Sequence, residues 1–248
     1  MLWISKAYAQ PVVSPFFEQH NDVGGVRLPG DLRYRPEQQE YEISASGSNI
    51  WLDKDEFHFA WRKLKGDFIL QARVRFLGEG KDPHRKVGWM IRDELSTASV
   101  MTAVTVHGDG LTALQFRKES GKNVEEIRST VSAPDMIQLE RRGKRLLMSV
   151  ARFGDPYQTV SVTQVPSADE VYAGLFVCSH NNEVLEKAIF SNVQIIIPTP
   201  PGFQPYKDYL GSHIETLDVS SGHRVIQHTD WQKSLQAPNW MPDGKSLL

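Results

Sequence analysis

The sequence predicts an all-β protein: two packed antiparallel sheets followed by a separate hairpin-rich unit at the C-terminal end. Three observations carry this. Between residues 39 and 198, short runs of alternating apolar and polar residues recur at close spacing, separated by Gly, Pro, Asp and Asn. Helical periodicity is nearly absent, and a parallel sheet would need crossover helices. Each run offers one apolar and one polar face, which suits two sheets closing on a shared core.

The clearest strand spans 67–77, where Phe68, Leu70, Ala72, Val74 and Phe76 share one face and Gln71, Arg73 and Arg75 the other. Similar runs lie at 57–64, 87–92, 100–107, 111–117, 137–141, 145–153, 159–165, 171–179 and 188–197. Turn chemistry separates them, as at Lys65-Gly66-Asp67, Gly108-Asp109-Gly110, Arg142-Gly143-Lys144 and Gly154-Asp155-Pro156. Phe68, Leu70, Val74, Phe76, Leu175 and Val177 are the expected core. Residues 11–38 hold Pro11, Pro15, Gly24-Gly25 and Pro29-Gly30 with little periodicity, which predicts an irregular surface lead-in to a sandwich over 39–198. Pro198-Thr199-Pro200-Pro201-Gly202 ends the last strand, since proline cannot donate to a ladder, and 199–211 reads as a linker.

Composition excludes some classes. With 28 basic and 30 acidic residues in 248, there is no bulk attraction to nucleic acid or acidic lipid. No stretch reaches the roughly 18 apolar residues of a spanning helix. The lone Cys178 excludes an internal disulfide framework. Residues 1–10 end in Ala7-Tyr8-Ala9, the small-x-small pattern of a signal-peptidase site, with only Leu2-Trp3-Ile4 as an apolar run before it. Either they are the remnant of a longer signal, or the pattern is coincidental. On the first reading the protein is periplasmic or secreted.

Two resemblances follow from quoted residues. The order Gly47-Ser48-Asn49-Ile50-Trp51, the aromatic strand with Phe57, Phe59 and Trp61, Gly66 to Val74, Lys86 to Asp93 and Gly108 to Arg117 resembles a concanavalin A-like jelly roll of the laminin-G and lectin type. The stretch 212–248, with Ser220-Ser221-Gly222 and the run from Ala237 through Pro238, Trp240 and Pro242-Asp243-Gly244-Lys245, is similar to the first blade of a TolB-like propeller. A blade cannot bury its apolar face alone, so this unit is expected to be incomplete, with Leu217, Val219, Val225, Trp240 and Leu247 short of stacking partners. A complete propeller would offer a surface to other envelope proteins.

Catalytic patterns are missing. Retaining glycoside chemistry needs two carboxylates about 5–5.5 Å apart, and the Glu-x-Asp-x-x-Glu strand of sandwich glucanases does not occur. Asp53-Lys54-Asp55-Glu56 reads as a solvated turn, and Glu125-Glu126 and Asp169-Glu170 as turn or edge charges. There is no Gly-x-Ser-x-Gly elbow, and Cys178 alternates with Phe176 as a core residue would. The histidines form no ligand pair. Asp109 with Asn181-Asn182 offers oxygens for the rim Ca²⁺ that laminin-G-like relatives hold, but Asx residues in turns ordinarily bond their own backbone; no metal or cofactor is expected.

The polar alternation suggests a binding face. If Phe57, Phe59 and Trp61 point inward, His58 and Arg62 point outward, together with Gln71, Arg73, Arg75, Arg92, His107, Gln115 and Arg117. The jelly-roll resemblance implies a concave sheet on which forked donors, amides and an aromatic platform, Trp89 or Trp51, hold a sugar. An ordinary solvated sheet face is the competing reading. The expected function is a non-catalytic module binding carbohydrate or another extracytoplasmic polymer through His58, Arg73, Trp89, Arg92, His107, Gln115 and Arg117. A domain of a secreted hydrolase is the alternative.

Overall fold

The computed structural model describes residues 16–163, 165, 167–199, 202–204, 211–230, 235, 239 and 241–242. Its strands, in chain order, are β1 (Gln19–Val23), β2 (Asp31–Arg35), β3 (Glu40–Ala45), β4 (Phe57–Lys65), β5 (Phe68–Leu77), β6 (Lys86–Arg92), β7 (Met101–His107), β8 (Thr112–Arg117), β9 (Glu125–Arg128), β10 (Met136–Arg142), β11 (Arg145–Ala151), β12 (Gln158–Thr163), β13 (Glu170–Cys178), β14 (Glu186–Ile196), β15 (Ser212–Leu217) and β16 (Arg224–Asp230). Every run expected from alternation forms a strand. Sheet A has the order β1-β4-β13-β6-β7-β8-β9 and sheet B the order β12-β11-β10-β5-β14-β3-β2, all pairs antiparallel. The result is a two-sheet sandwich of jelly-roll type.

Its core lies between the sheets. Phe68, Leu70, Ala72 and Val74 of β5 meet Val87, Trp89 and Ile91 of β6 and Val171, Ala173, Leu175 and Val177 of β13 in one buried cluster. Of the expected core residues only Phe76 is partly exposed, near the C-terminal end of β5. Burying side chains of this size is worth about 1.5–3 kcal/mol each relative to exposure, which makes this cluster the main source of stability.

The lead-in expectation needs correction. Residues 19–23 pair with β4 and residues 31–35 with β3, so the sandwich begins well before residue 39. Both strands have only five residues and lie at sheet edges among Gly and Pro, where alternation is too short to register.

β15 and β16 form a separate two-stranded hairpin. It docks on sheet B: Asn192 Nδ2 donates to Gly222 O (2.8 Å), Asn192 Oδ1 accepts from Arg224 N (2.7 Å), and the Gln39 amide bonds both backbone groups of Ile226 (2.8 and 2.9 Å). Of the residues expected to lack partners, Leu217 and Val219 are exposed and Val225 is half-buried. Trp240 and Leu247, most of the run 237–248, residues 1–10 and much of the linker lie outside the described residues.

Candidate ligand-binding site

The middle of sheet A, β6 to β8, is covered on both sides. Every residue of β6, β7 and β8 is buried, so the polar positions of their alternation do not mark a solvated face. Period two sends Val87, Trp89 and Ile91 to the main core and Lys86, Gly88, Met90 and Arg92 to the opposite, outer face. Thr105 and His107 of β7 and Gln115 and Arg117 of β8 share that outer face by the same alternation.

A roof of loops closes one end of it. Asp55 N donates to Thr97 O, Gly121 N to Ala98 O and Val124 N to Trp51 O, tying the segments 46–56, 93–100 and 118–124 together. Under the roof Ile50, Phe57, Phe59, Met90, Met101, Ala103, Val124, Phe176 and Cys178 form a second apolar cluster. Phe57 and Phe59 therefore face away from the main core, the reverse of the expected orientation. Cys178 is wholly buried, and burial pushes its thiol up to about 11.

The roof is pinned by buried charge. Arg117 grips Asp55 bidentately, Nη1 to Oδ2 at 2.8 Å and Nη2 to Oδ1 at 2.6 Å, while Arg92 Nη2 stands 3.4 Å from Oδ2. Arg117 also donates to the carbonyls of Lys122, Ser99 and Leu52, and Arg92 to those of Glu94 and Ser96. All three side chains are fully buried. Arg92 and Arg117 are thus structural clamps with their donors spent, and Asp55 belongs to no solvated turn. Both expectations are corrected.

The other end of the outer face holds a pocket of about 220 Å³, lined among others by Asn49, Trp51, His84, Lys86, His107, Gln115, Glu126, Arg128 and His180. Lys86 Nζ donates to Asn49 Oδ1 (2.7 Å) and Ile50 O (2.9 Å) and lies 5.8 Å from the centre of the Trp51 ring. Burial pulls its ammonium down to about 8. His107 faces Lys86 directly across the β6–β7 pair. Burial, and then the Lys86 cation, pushes the His107 imidazole down to about 4, so it is neutral near pH 7.

Neither ring nitrogen of His107 has a hydrogen-bond partner, nor do Gln115 Oε1 and Thr105 Oγ1, although all four atoms are buried. Glu126 is committed: Oε1 accepts from Arg128 Nε (2.6 Å) and Oε2 from Gln115 Nε2 (3.2 Å). Burial works to raise its carboxyl, and these donors outweigh it, leaving it below the usual range. His84 stands edge-on to both His107 and His180, with ring centres 6.0 and 5.5 Å away. Of these residues His107 and Gln115 line the pocket, which sets their unpartnered groups beside a flat indole, the equipment for a polyhydroxylated ring.

Of the expected site residues, His107 and Gln115 come together here. The others do not. Trp89 is fully buried in the main core, on the same face as Val87 and Ile91. His58 is buried at the β1–β4 edge, Nδ1 on Asp22 Oδ1 (2.7 Å) and Nε2 on His20 Nδ1 (3.0 Å). Arg73 lies on sheet B, bonded to Asp135 Oδ2 (2.7 Å) and to Ser221 O of the hairpin turn. Sequence reasoning missed Lys86, Asn49, His84, Glu126, Arg128 and His180. The signal for Lys86 was its parity with Arg92. Asp109 and Asn181 bond their own turns through Leu111 N and Glu183 N (both 2.9 Å), and no cluster of metal-ligating side chains occurs among the described residues.

No family model and no curated protein matches the chain significantly. Solved structures do. A functionally unknown protein from Saccharomyces cerevisiae aligns at 14% identity and TM-score 0.52, over 69% of this chain and 97% of its own. The carbohydrate binding module CBM66 from Bacillus subtilis aligns at 15% identity and TM-score 0.44, over 73% and 99%. A family 7 alginate lyase, solved with its product, aligns at 10% identity and TM-score 0.45, over 66% and 82%. At 14% identity the first of these likenesses shows the fold alone.

Proposed function

We propose that the chain is a carbohydrate-binding module that holds its ligand, chemically unchanged, in the pocket formed by Trp51, Lys86, His107 and Gln115. The observation that carries this is the unpartnered set on His107 and Gln115. A buried polar group without a partner costs about 1–3 kcal/mol, a cost that bound hydroxyls would offset by donating to Gln115 Oε1 and bonding both sides of the imidazole. Trp51 supplies the apolar surface on which a sugar ring stacks. What supports binding without cleavage is that, among the described residues, Glu126 is the one carboxylate lining this pocket, with both oxygens already occupied. An extracytoplasmic setting belongs to the same proposal and rests on Ala7-Tyr8-Ala9. So does the assignment of the hairpin at 212–230 to a TolB-like repeat appended to the sandwich, which rests on its turn residues and the exposed Leu217 and Val219.

The test is a glycan array followed by calorimetry. His107→Ala with Gln115→Ala should weaken binding of the array's best glycan by about 2 kcal/mol or more, whereas Arg73→Ala on the opposite sheet should leave it unchanged. Loss of affinity in Arg73→Ala alone would move the site to sheet B. Release of reducing sugar or of an unsaturated product from any bound polysaccharide would show that the module is an enzyme.

A further inference from the structure

Four long cationic side chains are buried among the described residues: Arg85, Lys86, Arg92 and Arg117. Three have a carboxylate at hand. Arg85 Nη1 is 2.6 Å from Glu186 Oε2, and Arg92 and Arg117 share Asp55. Among the described residues Lys86 has no carboxylate within ion-pair distance; its ammonium rests on the neutral oxygens of Asn49 and Ile50. A buried ammonium without a counter-charge is costly, and structural sites normally supply one. Glu126 lines the same pocket but is bound to Arg128 and Gln115. Among the Lys, Arg and Glu residues of the lining, Lys86 and Arg128 outnumber Glu126 by one positive charge.

The unpaired cation sits beside the unpartnered imidazole. Lys86 and His107 are direct cross-strand neighbours on one face, which places their Cβ atoms about 4.5–5.5 Å apart. Across the other strand pair Lys86 faces Cys178, a buried neutral thiol, so no acid approaches from β13. We propose that Lys86, with His107, receives a negatively charged substituent of the bound sugar, a carboxylate or a sulfate, so that the pocket selects acidic over neutral saccharides. This rests on the sugar-binding reading above. The pocket's volume, below the roughly 300–1,000 Å³ of drug-sized sites, limits the contact to about one ring. Acidity at that ring, and not the overall charge of a polymer, is what the site reads.

The experiment compares matched methyl glycosides by calorimetry: glucuronate with glucose, galacturonate with galactose, mannuronate with mannose, and galactose 6-sulfate as the sulfate arm. Inorganic sulfate is titrated alone. At least one acidic glycoside should bind tenfold or more tightly than its neutral counterpart, and Lys86→Met should cut that preference below threefold. The galactose 6-sulfate and uronate arms show which anion is taken. A second readout needs no variant: an anion beside Lys86 favours its charged form, so wild type should take up protons on binding near pH 8, seen as a dependence of binding heat on buffer ionisation enthalpy. Equal affinity for acidic and neutral members, without proton uptake, would overturn this proposal and leave sugar binding standing. Inorganic sulfate binding as tightly as the acidic glycosides would reduce the site to a bare anion site. Failure of every glycoside to bind would overturn both readings.

Discussion

Asp55→Asn should be among the most damaging single substitutions in the chain. The carboxylate balances two fully buried guanidiniums, one held bidentately at 2.6 and 2.8 Å and one at 3.4 Å. The amide keeps the volume but removes the charge and turns an NH₂ toward a guanidinium that can only donate. Breaking a buried pair from one side costs about 3–5 kcal/mol, because the remaining charge is stranded. In a domain of this size that is a fall in melting temperature of roughly 6–20 °C. Urea unfolding followed by tryptophan fluorescence gives the loss directly. Hydrogen exchange gives its location: the amides of Asp55, Gly121 and Val124, which tie the roof loops, should lose protection before those of β5 and β10. A loss below about 1 kcal/mol, or exchange unchanged at those amides, would refute the account of Arg92 and Arg117 as clamps.

Other outcomes follow from the same geometry. Gly88→Ala should cost about 3 kcal/mol or more by urea unfolding, since an added Cβ would fall 1.7 Å from Val104 O, a backbone atom of the adjacent strand. Val74→Asp should leave an unpaired carboxylate in the main core and cost several kcal/mol; a soluble variant with unchanged melting would contradict the core assignment. His107 should titrate near 4 by NMR. Because the unfolded imidazole protonates near 6.5 and the folded one does not, the unfolded state binds more protons in between, and its contribution to stability, up to about 3 kcal/mol, is present above pH 6.5 and lost on falling to pH 4. His107→Phe should flatten that slope. Cys178 should resist iodoacetamide in the native protein and react only on unfolding, its thiol being buried and held up at about 11.

The longer strands were legible from alternation whether their polar face meets solvent, as in β5, or is buried, as in β6 to β8, and the five-residue edge strands β1 and β2 were not. β5 alternates cleanly because its outer residues are partly exposed, and its core face is the one the sequence shows. The outer face of sheet A was not legible, because loops distant in sequence roof it. Arg92 and Arg117 occupy polar positions of a period-two pattern whether that face meets water or Asp55. Asp55 itself, flanked by Asp53, Lys54 and Glu56, has a solvated neighbourhood in sequence and a dry one in space. Trp89 was readable after all: it shares parity with Val87 and Ile91, so no placement of it at a rim agrees with their burial. His107 and Gln115 were found because alternation places them on one face, while Lys86 was lost through starting β6 one residue late, at Val87. Arg73 was joined to the wrong face because sheet membership depends on strand order, which alternation does not encode.

The central claim is that the pocket at the open end of sheet A is where this protein meets its ligand. Protein-observed NMR titration with the matched acidic and neutral glycosides tests it most directly. The predicted result is a set of shifts confined to the Trp51 indole, the His107 ring, the Gln115 amide and the backbone of β6 to β8 near them, larger for the acidic member of a pair. Shifts clustered instead around Arg73 and Gln71 on sheet B, or none at millimolar glycoside, would contradict it.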